Sequence, residues 1–203
     1  EEEHGESVSY FARWTDRYKE AREYLYGTME AEPDEEAAHE IMLEEAEQGN
    51  AYAMHDMGKI YAQGIGCEAD KEKVDVWYKK ALAEQKKSNT YLEYRIGKMY
   101  QYGLGTDENM EQAGEWFSKA AAKEHKYALY SLGMLYLQGK GVEQDEETAY
   151  SLLFRSYSKG NPYAAYELGK LYETGCGTEK NQEKSENCYR VAFLGFLNLE
   201  KRS

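Results

Sequence analysis

The sequence predicts an all-α protein, an α-solenoid in which pairs of antiparallel helices repeat along the chain. Only 2 of its 203 residues are proline, so helices can form throughout without a residue that breaks them. Glycine and tyrosine recur at fixed intervals, which is typical of tandem repeats. Each recurring segment also carries the apolar spacing of two helices with one buried face each. These three observations together predict the helix-pair architecture.

Four tandem units follow from the spacing of one glycine and one tyrosine. Both residues recur at intervals of 39, 36 and 36, and we assign them structural roles in the repeat: Gly58, Gly97, Gly133 and Gly169, with Tyr61, Tyr100, Tyr136 and Tyr172. The predicted units are residues 51–89, 90–125, 126–161 and 162–203. The three extra residues of the first interval fall near 85–89, in a connection, where added length costs little entropy.

The first helix of each unit is predicted by apolar residues that share one helical face, such as Ala53, Met57 and Ile60. A Gly-x-Gly pair ends it, because glycine tolerates the positive φ found at helix C-termini. The glycine inside the helix, Gly58 in the first unit, costs about 1 kcal/mol relative to alanine. Because this glycine recurs four times, we expect the second helix to pack so closely there that a Cβ atom would clash.

The second helix begins after an Asp or Asn, whose side-chain oxygen accepts from a backbone N–H of the first turn. These N-caps keep the same intervals: Asp70, Asn109, Asp145 and Asn181. Trp77 and Ala81 then lie on the face that packs against neighbouring helices. Cys188 stands at the position of Trp77 in the last unit, which predicts a buried thiol.

The N-terminal section, residues 1–50, is predicted to be a diverged helical unit that caps the array. Residues 35–48 resemble a second helix, and the segment from Tyr10 to Tyr26 carries apolar residues on one helical side. This section holds 16 acidic and 4 basic residues, whereas residues 51–203 hold 22 and 21. The net charge of −13 is therefore concentrated in the cap. It disfavours nucleic-acid phosphates and anionic membranes as partners of the chain as a whole.

The C-terminal end is strongly apolar over residues 191–197, although terminal repeats usually present a polar outer face. We expect either further repeats in a longer parent protein, since the chain begins without Met, or end-to-end association of two copies. No segment approaches the roughly 18 apolar residues of a membrane-spanning helix. The three cysteines lack paired spacing, which favours reduced thiols and a cytoplasmic location.

The segment from Tyr127 to Val142 reads Tyr-Ala-x-x-x-Leu-Gly-x-x-Tyr-x-x-Gly-x-Gly-Val. Together with Asp145, Ala149 and the Ala113-x-x-Trp116-x-x-x-Ala120-Ala121 stretch one unit earlier, it resembles the Sel-1-like repeat. The resemblance implies a right-handed superhelix related to tetratricopeptide repeats, in which first helices line a concave protein-binding surface. Residues 91–100 and 192–196 also resemble repeat arrays attached to mobilisation relaxases of Firmicutes plasmids and conjugative elements. That second resemblance implies a protein-interaction appendage of a DNA-mobilising relaxase.

The chain offers no pattern that predicts catalysis. The Gly-x-Gly pairs follow no strand and precede no Gly-Lys-Ser/Thr, which disfavours phosphate binding. The histidines lie in different units without metal-ligand spacing: His4, His39, His55 and His125. We therefore expect no enzymatic activity, metal or cofactor. A secreted cell-wall hydrolase built on related repeats is the alternative from another class, and it requires paired carboxylates or a nucleophile with its base in one cleft.

A partner-binding row is predicted on the first helices. Two residues along a helix correspond to a rotation of about 200°, so position 55 and its equivalents are expected to point away from the core residue Ala53. These positions and those one turn later are the predicted partner-binding residues: His55, Tyr94, Tyr130 and Tyr166, with Lys59, Lys98, Met134 and Lys170. Aromatic rings beside lysines suit a peptide or a partner helix, including an acidic one. The alternative is that these tyrosines pack between adjacent units.

Overall fold

The computed structural model describes residues 15–28, 31–84 and 90–200. All regular structure within these residues is α-helical, which confirms the predicted fold class. The helices are α1 Asp16–Tyr26, α2 Glu35–Glu47, α3 Ala51–Gln63, α4 Lys71–Ala83, α5 Thr90–Tyr102, α6 Met110–Ala122, α7 Lys126–Gln138, α8 Glu146–Ser158, α9 Pro162–Thr174 and α10 Gln182–Glu200. The predicted insertion near 85–89, the predicted helix start at Tyr10 and the histidine His4 lie outside the described residues.

The chain divides into two compact units. The N-terminal unit contains α1–α4 and continues to Leu92, and it also includes Tyr102–Glu108. The C-terminal unit contains Glu93–Gln101 of α5 together with α6–α10. Within each unit, helices that follow each other along the chain pack together: α1 on α2, α2 on α3 and α3 on α4 in one, and α6 to α10 in sequence in the other. The predicted helix-pair organisation is therefore confirmed inside each unit.

The Gly-x-Gly pairs end first helices and also allow a close backbone approach. Gly139 caps α7 in the left-handed conformation at φ 62°, and its amide donates to the Leu135 carbonyl. A Cβ atom at the second glycine, Gly141, would lie 2.3 Å from the carbonyl carbon of Met110 at the start of α6. The first glycine therefore supplies the turn, and the second lets the connection touch the preceding second helix.

The glycine inside each first helix faces a large side chain of the second helix. A Cβ atom at Gly58 would lie 2.7 Å from the ring of Tyr78, and one at Gly97 would lie 2.5 Å from the ring of Phe117. The other two glycines face Leu153 at 3.0 Å and Tyr189 at 2.6 Å, respectively. The four facing residues keep the 39, 36 and 36 spacing: Tyr78, Phe117, Leu153 and Tyr189. The predicted close approach is confirmed, and its partner residue is a repeat position that the sequence analysis had not identified.

The predicted N-caps start the second helices and also close the connection before them. Asp70, Asn109 and Asp145 accept from first-turn amides, and Asn181 accepts from the Lys184 amide at 2.9 Å. The backbone amide of each cap also donates to the carbonyl of the repeated tyrosine, at 2.8–3.0 Å: Tyr61, Tyr100, Tyr136 and Tyr172. The repeated tyrosine thus contributes its backbone to the turn while its ring packs inward.

The repeated tyrosines and Cys188 lie where the sequence predicted. Tyr61 and Tyr172 are buried, whereas Tyr100 and Tyr136 are half-buried against a core of the C-terminal unit. Cys188 is buried in a second core cluster of that unit. No helix in the part of the chain that the structure describes is long and apolar enough to cross a membrane.

Candidate partner-binding surface

Tyr163 and Tyr166 lie one turn apart on α9 and are 46% and 44% exposed. The ring of Tyr163 is flanked by Tyr130 of α7, with centroids 6.1 Å apart, and by Phe196 of α10 at 5.1 Å. The ring of Tyr166 is flanked by Tyr189 of α10 at 5.6 Å. Neighbouring rings thus hold both exposed tyrosines in place while part of each ring faces solvent.

Charged groups border these rings. Lys170 Nζ lies 4.5 Å from the centroid of the Tyr166 ring and 3.0 Å from Glu167 Oε1. The Tyr189 hydroxyl donates to Glu173 Oε2 at 2.8 Å. Partial burial, followed by this hydrogen bond, raises the pKa of Tyr189 to about 12, so the hydroxyl stays a neutral donor. We name Tyr130, Tyr163, Tyr166, Lys170, Tyr189 and Phe196 the α9 aromatic surface.

His55 does not belong to an exposed row, and the prediction that its side chain points away from the core is wrong. His55 is only 4% exposed, and its ring meets Tyr78 edge-on at a centroid distance of 5.3 Å. The rotation argument assumed that α3 has a solvent side opposite Ala53. Instead, ten of its 13 residues are buried, because helices pack around most of its circumference.

Asp56, the residue after His55, joins α3 to α1. This carboxylate is fully buried and accepts from the Tyr18 hydroxyl at 2.6 Å and from Arg22 Nη1 at 3.2 Å. Burial alone would lower the pKa of Arg22, but the nearby Asp56 and Tyr18 outweigh burial and raise it above its usual value. The acidic cap is therefore attached to the first repeat by a buried ion pair.

Tyr94 is half-buried and packs between helices, as the alternative interpretation expected. Its ring stacks on His125 at a centroid distance of 4.8 Å and lies 5.9 Å from Phe117. Burial, and then Lys126, lowers the pKa of His125 to about 4. The neutral ring uses Nδ1 to accept from the Ala128 amide at 3.2 Å, so it caps α7 in the place of Asn or Asp.

Of the other predicted partner-binding residues, some are half-buried and some are exposed. Tyr130 and Met134 are half-buried against the core cluster that contains Leu153 and Leu168. Lys98 is half-buried and donates to Gln101 at 3.0 Å. Lys59 is exposed on α3. Of the eight predicted residues, Tyr130, Tyr166 and Lys170 thus fall on the α9 aromatic surface.

Sequence reasoning missed Tyr163, Tyr189 and Phe196 as surface residues. Tyr163 belongs to a repeated position whose earlier members, Tyr52, Tyr91 and Tyr127, are buried or half-buried. Tyr52 stacks on Tyr91 at 6.0 Å, which shows why periodicity indicates packing at this position. No signal in the sequence separates Tyr163 from these earlier members, because it keeps the same repeat spacing.

The structure also bears on the chemical alternatives. Among the described residues, no group of three or more His, Cys, Asp or Glu side chains is arranged to hold a metal ion. Cys67 and Cys176 are partly exposed reduced thiols in connections. Burial, followed by a hydrogen bond with Glu146, raises the pKa of Cys176 to about 11, which disfavours the reactive thiolate.

Comparison with known families identifies the repeat. The family model described as Sel1 repeat matches five segments, namely residues 18–50, 51–84, 91–125, 126–161 and 162–193. The first of them lies within the section that the sequence analysis treated as a diverged cap, and it covers α2 and all but the first two residues of α1. No curated protein matches the chain.

Several solved structures are similar to this one. A Sel1 repeat protein from Oxalobacter formigenes has a TM-score of 0.66 and 26% identity, over 88% of this chain and 72% of that protein. A protective antigen present in uropathogenic Escherichia coli strains, described as displaying an SLR fold, has a TM-score of 0.62 and 29% identity over 87% of this chain. The chain spans 37% of the length of that antigen. Immunity protein Pa5087 from Pseudomonas aeruginosa shares the fold, with a TM-score of 0.51 and 20% identity over 88% of this chain and 80% of that protein.

Proposed function

Because the chain belongs to the Sel1 repeat family, whose helical arrays commonly mediate contacts between proteins, we propose that it is a non-catalytic scaffold that binds a peptide or partner protein through the α9 aromatic surface. The observation that carries this proposal is the exposure of Tyr163 and Tyr166. The other apolar residues of α9 are buried, from Pro162 to Tyr172. Two large aromatic side chains therefore stay in water on a helix that otherwise buries its apolar surface.

The arrangement of the rings suits binding. Tyrosine offers a large contact area at a low cost in side-chain entropy and is enriched among residues that dominate binding energy. Tyr163 and Tyr166 are already restrained by Phe196, Tyr130 and Tyr189. A partner therefore pays little further entropy to fix them, which favours affinity.

Lys170 contributes selectivity more than affinity. Its ammonium already pairs with Glu167 and lies over the Tyr166 ring, so an acidic partner residue has to compete for it. Exposed charges at the rim of an interface mainly change the association rate and its salt dependence. We therefore expect a partner segment with apolar or aromatic side chains for the rings and an acidic residue nearby.

The test uses peptides selected from a random display library on the immobilised protein. Tyr166→Ala is expected to weaken the selected peptides at least 10-fold, which corresponds to about 1.4 kcal/mol. Tyr130→Ala is a poorer probe, because its ring packs against the core and its loss also lowers stability. The matched control is Phe154→Ala on α8, a ring of equal exposure at 44%. Equal loss of binding in both variants, or none with Tyr166→Ala, would contradict the proposal.

The alternatives are weaker. A cell-wall hydrolase needs paired carboxylates or a nucleophile and base in one cleft, and no observation on the described residues favours one. Attachment to a DNA-mobilising relaxase remains a prediction from resemblance and is compatible with the same surface. The hydrolase alternative does not account for the exposed tyrosines of α9.

A further inference from the structure

The end of α9 carries a carboxylate beside the aromatic rings. Glu173 is exposed, and its Oε2 atom accepts from the Tyr189 hydroxyl at 2.8 Å. The centroid of the Tyr189 ring lies 5.6 Å from that of Tyr166. An exposed negative charge and two aromatic rings therefore lie together. We name Tyr166, Glu173 and Tyr189 the Glu173 subsite.

The charge of Glu173 is not balanced by its neighbours. Lys170 is the one base of α9, but its Nζ lies 3.0 Å from Glu167 Oε1, so these two charges balance each other. The Tyr189 hydroxyl is a neutral partner, because its pKa is raised to about 12. Within the part of the chain that the structure describes, Glu173 forms no ion pair. The subsite therefore keeps a negative charge that a cationic group of a partner would complement.

Packing of α10 on α9 holds the subsite in place. A Cβ atom at Gly169 would lie 2.6 Å from Tyr189 Cε1, so the Tyr189 ring lies directly against α9 at this glycine. The Ser185 hydroxyl donates to the Gly169 carbonyl at 2.8 Å and joins the two helices at the same point. The Tyr189 hydroxyl thereby reaches Glu173, one turn further along α9. The carboxylate is thus oriented before a partner binds, which lowers the entropy cost of binding.

The helix-pair repeat itself does not require this carboxylate. In the other three predicted units, the positions equivalent to Glu173 hold Ala62, Gln101 and Leu137. The positions equivalent to Tyr189 hold Tyr78, Phe117 and Leu153. A phenolic donor and a carboxylate are therefore combined in the last unit alone. A role in holding the helix pair together would recur in the other units, so the combination favours a role of this surface in binding.

We propose that the Glu173 subsite binds an arginine side chain of the partner, with the guanidinium stacked beside Tyr166 and hydrogen-bonded to the Glu173 carboxylate. A guanidinium suits this arrangement better than an ammonium, because it is planar and weakly hydrated and can stack on a ring while its N–H groups reach a carboxylate. The Tyr189 hydroxyl uses Oε2, and a carboxylate has room for further donors. This inference rests on the proposed function and adds one residue to the partner described there.

The experiment begins with two matched peptide libraries displayed against the immobilised full chain. Both randomise the flanking positions without Arg or Lys, and they differ only at the central position, which is Arg in one library and Gln in the other. Peptides whose binding depends on Tyr166 are identified by their loss with Tyr166→Ala. We expect them roughly 10-fold more often from the Arg library, because selection amplifies an affinity difference of a few fold.

Fluorescence anisotropy then measures the tightest Arg peptide and the same peptide with Gln in place of Arg. Glu173→Gln keeps an acceptor for the Tyr189 hydroxyl but removes the charge. It is expected to weaken the Arg peptide about 5-fold and the Gln peptide less than about 2-fold. Glu111→Gln, at an exposed glutamate of α6, is the matched control and should change neither affinity. Glu173→Lys should abolish the preference for the Arg library, with circular dichroism showing that each variant keeps its helices.

The outcomes separate the arginine subsite from the proposed function. Peptides that depend on Tyr166 but come equally from both libraries would overturn the arginine subsite and leave the α9 aromatic surface as a binding site. An Arg peptide that binds Glu173→Gln as tightly as the wild type would have the same meaning. If neither library yields a peptide that depends on Tyr166, both the subsite and the proposed function are wrong.

Discussion

Gly97→Ala is expected to destabilise the protein even though alanine is the better helix former. Glycine in a helix interior costs about 1 kcal/mol relative to alanine, so helix propensity alone predicts that Gly97→Ala raises the free energy of unfolding. The new Cβ atom, however, would lie 2.5 Å from Phe117 Cε1 and 2.6 Å from Cδ1. The Phe117 ring is fully buried in its cluster and cannot swing away. Overpacking of this kind costs about 3 kcal/mol at its upper end, which leaves a net loss of about 2 kcal/mol.

Gly114→Ala is the matched comparison. Gly114 is buried inside α6, but its Cβ would meet only Val142 at 3.5 Å and Leu135 at 3.6 Å, which are ordinary contacts. At Gly114 no steric clash opposes the better helix propensity of alanine. Gly114→Ala should therefore raise the free energy of unfolding by up to about 1 kcal/mol. The same chemical change thus has opposite expected signs at two helical glycines.

Thermal unfolding followed by circular dichroism measures both effects. In a chain of this size 1 kcal/mol shifts the midpoint by about 2–4 °C, so Gly97→Ala should lower it by about 4–8 °C and Gly114→Ala should raise it slightly. Adding Phe117→Leu to Gly97→Ala should restore part of the loss, because the smaller side chain vacates the clash and the two changes are coupled. A higher midpoint for Gly97→Ala would refute the account of the repeated glycine.

Three other perturbations give further expectations. His125 binds protons in the unfolded chain from about pH 6.5, whereas its folded pKa is about 4, so stability should fall as pH drops between these values. His125→Asn keeps an N-cap without a titrating ring. In urea unfolding, the free energy of unfolding of this variant should fall between pH 7.5 and pH 5 by about 2 kcal/mol less than that of the wild type. Tyr18→Phe removes the hydroxyl that donates to buried Asp56 and should cost about 1–3 kcal/mol in thermal unfolding, whereas Tyr24→Phe at an exposed ring should be neutral. Glu124 occupies a left-handed conformation at φ 61° and pairs with Arg155, so Glu124→Gly should be more stable than Glu124→Ala by about 1 kcal/mol, and equal stabilities would contradict the strain argument.

The helix-pair repeat and its turn chemistry were predictable because they depend on local spacing. N-caps such as Asp70, and Gly-x-Gly pairs such as Gly139 and Gly141, act within a few residues of themselves, so their roles can be assigned from the sequence. The internal glycine was predictable for a different reason. Glycine lowers helix stability at this position in all four units, so its absent side chain must serve a packing role. That role is the close contact with Tyr78 and its equivalents.

The eight predicted partner-binding residues show where this reasoning stops. His55, Tyr94 and Tyr166 occupy one repeat position, yet they are buried, half-buried and 44% exposed, respectively. Periodicity gives each of them the same angle around its helix. What differs is the packing around each ring, since His55 is 4% exposed against the edge of Tyr78, whereas Tyr166 lies beside Tyr189 and Lys170 and stays 44% exposed.

The sequence by itself determined the helix pairs, their caps and the glycines that let them approach, because these features depend on local backbone chemistry and on a fixed period. The tertiary structure alone decided which repeated aromatic residues are surface and which are core. Exposure depends on whether another helix lies over a position, and such contacts join residues far apart in the chain. For that reason the α9 aromatic surface, which combines side chains of α7, α9 and α10, could be recognised only from the tertiary structure.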